Sequence, residues 1–378
     1  MNKKRVLIVT PNSLHNGPRL IREIDVLKHD YIITAVGSTP PHDPDIRYIP
    51  YSSIQFSFFD RVIRKVSRTL LNRQIASRLP GMRRKIESLI KDVAPDLVIV
   101  HYPLHLPFFL MNKNRNYKVV YNAHEYHPLE FESDAHWMKT NGKLYSELYK
   151  QNLHKCDLVI NVCDGIAAKC KEVFGVESLV IPNAASYYQG PYKDKFSPEK
   201  IRFIHHGGSN PDRKIEWMIN AFEKLGEKYV LDLMLVNSDP DYFQKLEQKA
   251  AGISNVNFIK PVSFNEIIPL LTSYHAGVYN LPPVSFNNQY ALPNKFFEYI
   301  QARLPIVSGP SVEMKSIIEK YKIGVVSEDF SVGSLVAAIQ KFAEMNKSIF
   351  SVNAELAARE LSAEFYQKQF ITSVNTLF

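Results

Sequence analysis

Short apolar runs alternate along this chain with stretches in which apolar residues return at helical spacing. In the first half, Lys4–Pro11, Tyr31–Val36, Asp96–Val100, Tyr117–Tyr121 and Asp157–Val162 read as strands, apolar on both faces as in a parallel sheet. Helices are predicted at Pro18–Lys28, where Leu20, Ile21, Ile24 and Leu27 share a face, from about Lys139 to Lys155, and at Ile166–Phe174. Leu179–Ile181 is a further short apolar run, followed by Pro182–Asn183–Ala184. In the second half, strands are predicted at Ile201–His205, Tyr229–Val236, Val256–Pro261, His275–Leu281, Pro305–Ser308 and Ile323–Val326. Between them lie helices at Ile215–Leu225, at a stretch ending near Ala251, at Ile267–Ser273, just after Pro293, at Met314–Tyr321 and at Val332–Ala343, before a helical tail from Asn353 to Phe378. Strand–helix alternation of this kind predicts the α/β class. The 378 residues suit two domains, with Ala185–Lys200, which lacks apolar periodicity, as the linker.

Charge changes this picture in one place. The formal net charge is +8, which favours anionic partners without choosing among them. Much of it sits between Arg61 and Lys85: Arg61, Arg64, Lys65, Arg68, Arg73, Arg78, Arg83, Arg84 and Lys85, with no acidic residue among them. Phe58, Phe59, Val62, Ile63, Val66, Leu70 and Leu71 interleave at helical spacing, and Pro80–Gly81 divides the run. A basic amphipathic helix suits an anionic membrane surface, each cation adding about 1 kcal/mol. The other reading is an apolar face packed on the domain with a solvated basic face. Nucleic acid is not expected, because neither aromatic–basic RNA motifs nor a helix-turn-helix is present. No segment approaches the ~20 apolar residues of a membrane span, and the apolar run at the N-terminus is too short for a signal peptide. Cys156, Cys163 and Cys170 fit no metal-ligand spacing and read as reduced thiols. A cytoplasmic protein, peripheral on the inner face of the cytoplasmic membrane, is the expectation.

The chemistry concentrates at Tyr290–Gly309. Pro293 is predicted at the first helical position, where its missing N–H is harmless. A helix N-terminus at the C-terminal edge of a parallel sheet favours an anion, and Lys295 in its first turn adds a full charge. Glu298, one turn on, can accept two hydrogen bonds from a vicinal diol. Phosphate and diol acceptor together describe a nucleotide's diphosphate and ribose. Gly207–Lys214 repeats the theme as a strand–glycine loop–helix, with Gly207 and Gly208 admitting backbone amides to phosphate and Arg213 and Lys214 neutralising it. In the first half, the loop Asn12–Arg19 holds Gly17 but no G-x-G-x-x-G fingerprint, which argues against a dinucleotide cofactor. At the end of the Tyr117–Tyr121 strand stands the cluster His124–Glu125–His127. Two readings stay open there: metal ligation, for which a third ligand is lacking, and acid–base catalysis.

The run Pro293–Val307 (PNKFFEYIQARLPIV) resembles the donor-binding motif of GT-B glycosyltransferases, especially those similar to glycosyltransferase family 4. The resemblance implies two Rossmann-like domains facing across a cleft: 1–185 for the acceptor, 186–362 for the nucleotide-sugar, and a helix 363–378 crossing back to the first. It implies that Glu298 binds the ribose and that Lys295 and the helix N-terminus hold the diphosphate, with Tyr290, Leu292, Pro293 and Asn294 along the same site. It places Lys214 on the β-phosphate, Gly208, Ser209 and Arg213 beside it, Lys260 and Val262 around the base, and Gly17 near phosphate and acceptor. His124 would reach the transferred sugar and Glu125 would deprotonate the acceptor of an inverting enzyme. Two departures stand out. Tyr290 occupies the position of the family's second glutamate, which leaves the stereochemical class open, and Ser209 stands where the family has an arginine.

The expected activity is therefore metal-independent transfer of a hexosyl group from a nucleotide diphospho-sugar, UDP-linked by frequency in the family. No cofactor is expected, the nucleotide-sugar being a co-substrate. The acceptor would be a saccharide or lipid-linked saccharide of bacterial lipopolysaccharide, capsule or exopolysaccharide. The competing readings are a nucleotide-sugar epimerase on the same scaffold and a non-catalytic nucleotide- or sugar-binding protein.

Overall fold

The computed structural model describes residues 3–55, 60, 79–112, 114–191, 195, 199–345 and 347–378. Arg61, Arg64, Lys65, Arg68, Arg73 and Arg78 of the basic run, and the apolar residues interleaved with them, lie outside the described residues. The chain divides into two compact units. The first holds Met1–Pro182, Ser285–Asn287 and Gln367–Phe378, and the second holds Asn183–Val284 and Asn288–Tyr366.

In the first unit, β1 (Arg5–Val9), β2 (Ile32–Gly37), β3 (Arg47–Pro50), β4 (Leu97–Val100), β5 (Lys118–Asn122), β6 (Leu158–Asn161) and β7 (Leu179–Val180) form one parallel sheet in the order β3-β2-β1-β4-β5-β6-β7. Strand order reverses between β1 and β4, which is where open α/β sheets leave a crevice at their carboxyl edge. Val6, Ile8, Leu97, Ile99, Val120 and Ile160 cover one sheet face, against Leu20, Ile24 and Leu27 of the Pro18–Leu27 helix. Phe370 and Val374 of the tail join this core, and the Tyr31 hydroxyl donates to Asn375. A three-residue piece from the second half of the sequence also belongs here. Phe286 N–H donates to Glu132, and Asn287 exchanges two hydrogen bonds with the backbone of Tyr126. Strand β3 escapes the sequence reading because Arg47–Pro50 is short and none of its residues is fully buried.

In the second unit, β8 (Ile201–Gly208), β9 (Tyr229–Val236), β10 (Val256–Phe258), β11 (Ala276–Tyr279), β12 (Ile306–Ser308) and β13 (Gly324–Val326) form a parallel sheet in the order β10-β9-β8-β11-β12-β13. The order reverses between β8 and β11. Separate apolar cores cover the two faces. Strand β8 outruns its predicted end at His205: Gly207 and Gly208 pair with Leu235 and Val236, so both glycines belong to the strand rather than to the loop. Pro293 caps the Asn294–Gln301 helix in an extended conformation instead of occupying its first turn. The tail is two helices, Lys347–Glu360 and Ala363–Asn375. The division between units falls after Pro182, ahead of the expected linker. Ala184 and Ala185 are buried in the second core, Tyr188 N–H donates to Gln301, and Tyr187 stacks under the Arg303 guanidinium.

Seven of the eight residues of the Asn294–Gln301 helix are buried. Phe296, Phe297, Tyr299 and Ile300 are all essentially buried, each contributing about 1.5–3 kcal/mol of hydrophobic burial. The Tyr299 ring lies directly on Gly277 of β11, where an added Cβ would meet three ring atoms at 2.8 Å, and its hydroxyl donates to the Ile204 carbonyl at 3.1 Å. Gly277→Ala is therefore expected to lift this helix off the sheet and lower stability by about 1–3 kcal/mol, read as a lower urea midpoint at unchanged slope.

Candidate functional site

At the reversal in the second sheet, β8 ends in His205, His206, Gly207 and Gly208, and β11 ends in Tyr279. Lys295 enters from the neighbouring helix and is 4% exposed. Its Nζ lies 3.3 Å from His205 Nε2 and 4.5 Å from the centre of the Tyr279 ring. The Val278 carbonyl beside His205 Nδ1 only accepts, so neutral His205 keeps its lone pair on Nε2. The proton then sits on Nδ1, which donates to the Val278 carbonyl at 3.0 Å. Arg213 comes from the turn after β8, its Nη1 donating to Gly208 O at 2.9 Å. Both cations press on Gly207. A Cβ there would stand 3.1 Å from Lys295 Nζ and 3.2 Å from Arg213 Nη1, and φ is +120°. Glycine is required twice over, by backbone conformation and by close approach.

Among the described residues no carboxylate comes within ion-pair distance of Lys295 or Arg213. Glu298, 5% exposed, lies instead 3.4 Å from His206 Nε2, without hydrogen-bond alignment. Burial first, and then Arg213, push the Lys295 ammonium well below the usual lysine range, against the upward pull of Glu298. Burial, Lys295 and Arg213 likewise hold His206 well below the usual histidine value. The site thus sets a buried lysine and a half-buried arginine beside one carboxylate with which neither forms an ion pair among the described residues.

The structure brings Lys295, Glu298, Arg213 and Gly207–Gly208 together. Lys214 takes a left-handed conformation at the start of the Ile215–Leu225 helix, and its half-buried side chain makes no hydrogen bond or ion pair among the described residues. The Ser209 hydroxyl is engaged locally, accepting from the N–H groups of Ser238 and Asp239. Asn294 accepts a hydrogen bond from Asn183, and Leu292 and Val262 pack against the apolar core. Pro293 and Tyr290 are half-buried on the approach to the helix, and Lys260 is exposed beyond β10. His205, His206 and Tyr279 escape the sequence reading. Two adjacent histidines ahead of two glycines at a strand end were the available signal.

The first unit carries a second polar assembly at its own reversal point. Glu23 and Arg19 come from the first helix, His101 follows β4, and Asn122 and His124 lie at the end of β5. His101 Nε2 is 2.9 Å from Glu23 Oε1, and His101 Nδ1 is 2.9 Å from His124 Nε2. Asn122 Nδ2 donates to Glu23 Oε2 at 2.5 Å, and Asn122 Oδ1 accepts from Arg19. Arg19 only donates and ionised Glu23 only accepts, which fixes the orientation of the amide between them. Burial draws Arg19 down to about 10 against the pull of Glu23, and its Nε and Nη1 have no hydrogen-bond partner among the described residues. Burial, reinforced by Arg19, His101 and His127, holds His124 well below the usual histidine value.

The expected cluster His124–Glu125–His127 does not converge. His127 turns inward, its Nδ1 3.1 Å from each of the hydroxyls of Tyr121 and Tyr149, and burial lowers it to about 4. Glu125 is exposed, so the modest upward push of the surrounding protein on its carboxyl carries little weight. Its neighbour Glu130, half-buried, is pushed up to about 7 by burial and then by Glu125. Gly17 caps the first helix at an ordinary negative φ; a Cβ there would meet Ser13 O at 3.0 Å. Among the described residues no three His, Cys, Asp or Glu side chains form a metal-binding group.

The family model of Glycosyltransferase Family 4 matches residues 19–186, and that of Glycosyl transferases group 1 matches residues 200–345. The chain belongs to the GT-B glycosyltransferases of the family-4 type. Three solved structures illustrate the fold. A sucrose-phosphate synthase from Thermosynechococcus elongatus superposes with a TM-score of 0.76 at 13% identity, covering 100% of this chain and 99% of that one. WaaG, a glycosyltransferase involved in lipopolysaccharide biosynthesis, gives 0.64 at 13% identity, with 98% of each chain covered. HepE from Anabaena, in complex with UDP-glucose, gives 0.68 at 14% identity, covering 99% of this chain and 100% of that one. No curated protein matches significantly in sequence.

A buried cation such as Lys295, with no carboxylate at ion-pair distance among the described residues, lowers the stability of this glycosyltransferase. Lys295→Met is expected to raise the stability of the unliganded enzyme by about 1–4 kcal/mol. The folded state holds Lys295 below its unfolded value, so between the two values the unfolded chain binds more protons and the wild type gains stability as pH rises. Urea titrations should show the gap between variant and wild type narrowing toward pH ~10.

Proposed function

We propose that this glycosyltransferase moves a hexosyl group from a nucleotide diphospho-sugar, UDP-linked, to a saccharide or lipid-linked acceptor. The observation that carries the reading is the pair Lys295 and Arg213, converging on Gly207 with no carboxylate at ion-pair distance among the described residues. In the reaction the bond from the anomeric carbon to the diphosphate breaks, and both electrons leave with the diphosphate. Lys295, Arg213, Lys214 and the amides at the start of the Asn294–Gln301 helix stabilise that charge without a metal. One donor aimed at a developing anion is worth about 3–4 kcal/mol in the transition state. Glu298 accepts the ribose hydroxyls. Gly208, Ser209, Tyr290, Leu292, Pro293 and Asn294 line the donor, and Lys260 and Val262 flank the base. The first unit takes the acceptor, with Gly17, His124 and Glu125 on that side.

UDP-glucose in the HepE complex supports the donor class, and the involvement of WaaG in lipopolysaccharide biosynthesis supports a bacterial surface polysaccharide as product. Among the described residues no helix is long and apolar enough to cross a membrane. The basic Arg61–Lys85 run supports peripheral attachment to an anionic inner-face bilayer, where a lipid-linked acceptor would be found. Sedimentation with phosphatidylglycerol vesicles should carry the enzyme down at low salt and release it at high salt; absence of binding at low salt defeats the membrane reading.

A thermal-shift panel of nucleotides and nucleotide-sugars tests the donor site. UDP at about 100 times its dissociation constant should add about 2.7 kcal/mol of stability, and Lys295→Met should abolish the shift. Diphosphate neutralises the recess and favours protonated Lys295. Calorimetry in two buffers of different ionisation enthalpy should therefore register uptake of about one proton or less per UDP, with affinity falling as pH rises. Conversion of a nucleotide-sugar in the absence of any acceptor would mark an epimerase instead.

A further inference from the structure

Strand β8 ends in two consecutive histidines, and successive residues of a strand face opposite sides of the sheet. His205 therefore meets Lys295 and Tyr279, whereas His206 meets Tyr299 and Glu298. The His206 ring stands edge-on to Tyr299, with centroids 5.3 Å apart, and the residue is 4% exposed. Tyr299 is itself fixed, its hydroxyl donating to the Ile204 carbonyl on the same strand. The imidazole thus has little freedom to turn. Its Nε2 is buried without a hydrogen-bond partner among the described residues and lies 3.4 Å from Glu298 Oε2. A buried polar nitrogen in that state costs stability and asks for an explanation. The chemistry of the pair decides where the proton sits. Burial, then Lys295 and Arg213, hold His206 well below the usual histidine value, so the ring is neutral and carries one N–H. An ionised carboxylate only accepts. A lone pair on Nε2 would confront the lone pairs of Oε2, whereas an N–H there faces them as a donor. His206 is accordingly the Nε2–H tautomer, with its donor turned toward a carboxylate that is 5% exposed. A small turn of the Glu298 carboxylate completes the hydrogen bond.

We propose that His206 is a positioning residue for Glu298: its Nε2–H fixes one carboxylate oxygen, so that the carboxylate presents its remaining lone pairs to the two ribose hydroxyls of the donor nucleotide. The inference rests on the donor-site reading given under the proposed function. An ionised carboxylate has about four acceptor directions, enough for one braced donor and a vicinal diol together. Braced in this way, it meets both hydroxyls without losing further freedom of its own on binding. Neutrality of the ring matters to this role. An imidazolium would grip Glu298 as an ion pair and compete with the ribose for its oxygens. Lys295 and Arg213, which face the same ring, oppose that second proton. The two cations thereby serve the sugar end of the nucleotide as well as the phosphate end. No proton crosses between His206 and Glu298, and His206 takes no part in breaking the glycosyl bond.

The readout is discrimination between ribose and 2′-deoxyribose. Calorimetry of UDP and 2′-deoxy-UDP on the full chain should give the wild type an affinity ratio of about ten or more in favour of UDP. His206→Phe keeps a ring against Tyr299 and removes the donor. It should weaken UDP about tenfold and 2′-deoxy-UDP by less than about threefold, so that the ratio falls toward one. In turnover of the nucleotide-sugar, KM for the donor should rise about tenfold with kcat held within about threefold, because the ribose is gripped equally before and during reaction. His206→Gln can offer an amide N–H from the place of Nε2, and it should bring the ratio back to within about threefold of wild type. Nitrogen-15 spectra of the wild type with UDP bound should show His206 as the Nε2–H tautomer; this measurement needs no variant and decides the matter should His206→Phe not fold. A lone pair on Nε2 in that complex overturns the proposal. So does a His206→Phe enzyme that keeps the wild-type ratio, including one that loses both nucleotides equally, as a purely structural ring would make it do. The donor-site reading fails differently. A wild type that binds no nucleotide, or a Glu298→Ala enzyme that binds UDP as the wild type does, removes the site itself, whereas failure of the His206 role alone leaves UDP binding and its dependence on Glu298 in place.

Discussion

Uncompensated buried charge governs this molecule. A lysine or arginine withdrawn from water without a carboxylate is strongly unfavourable, and folding tolerates it only where the surroundings leave no alternative. Here the apolar side of the Asn294–Gln301 helix is anchored in a close-packed core through Phe296, Phe297 and Tyr299, and Lys295 is carried along on the same turn. That placement favours the neutral amine, and burial accordingly draws the Lys295 ammonium well below the usual lysine range. At the second sheet's edge the missing side chain at Gly207 admits Lys295 and Arg213 at close range, and burial keeps the imidazoles of His205 and His206 neutral beside them.

Both sheets solve the same geometrical problem. Reversal of strand order leaves a gap where the connecting helices part, between β1 and β4 in one unit and between β8 and β11 in the other. Each gap is furnished with polar groups from strand ends and a helix start, but with opposite electrostatic logic. The second unit sets Lys295 and Arg213 beside one carboxylate, Glu298, with which neither forms an ion pair among the described residues. The first unit threads a carboxylate, an amide and two imidazoles into a chain with a defined direction.

The alternation of strands and helices was legible because buried parallel strands such as Val6–Val9 and Tyr229–Val236 are uniformly apolar and their helices strongly amphipathic. The Lys295–Glu298 motif was legible because its spacing along one helix maps directly onto space. Contacts assembled from distant segments were not. Nothing local in Glu23, on the inner side of an ordinary helix, announces a hydrogen bond to His101, 78 positions away. His124 was singled out, but with the wrong companions: proximity in sequence pointed to Glu125 and His127, whereas tyrosine hydroxyls claim His127 and solvent claims Glu125. The extra strand residues at Gly207 and Gly208 were hidden because glycine is read as a turn signal, while here it serves close approach by two long side chains.

Asn122 has one more consequence. It stands between Arg19 and Glu23, which would otherwise grip each other side by side and become inert. Its carbonyl faces the cation and its NH2 faces the anion, so it acts as an insulating washer, satisfying part of each group while holding them apart. Aspartate in that place would turn a spacer into a competitor for the guanidinium and repel the carboxylate. The uncharged amide, nearly the same size and shape, lets two opposite charges live as close neighbours without short-circuiting.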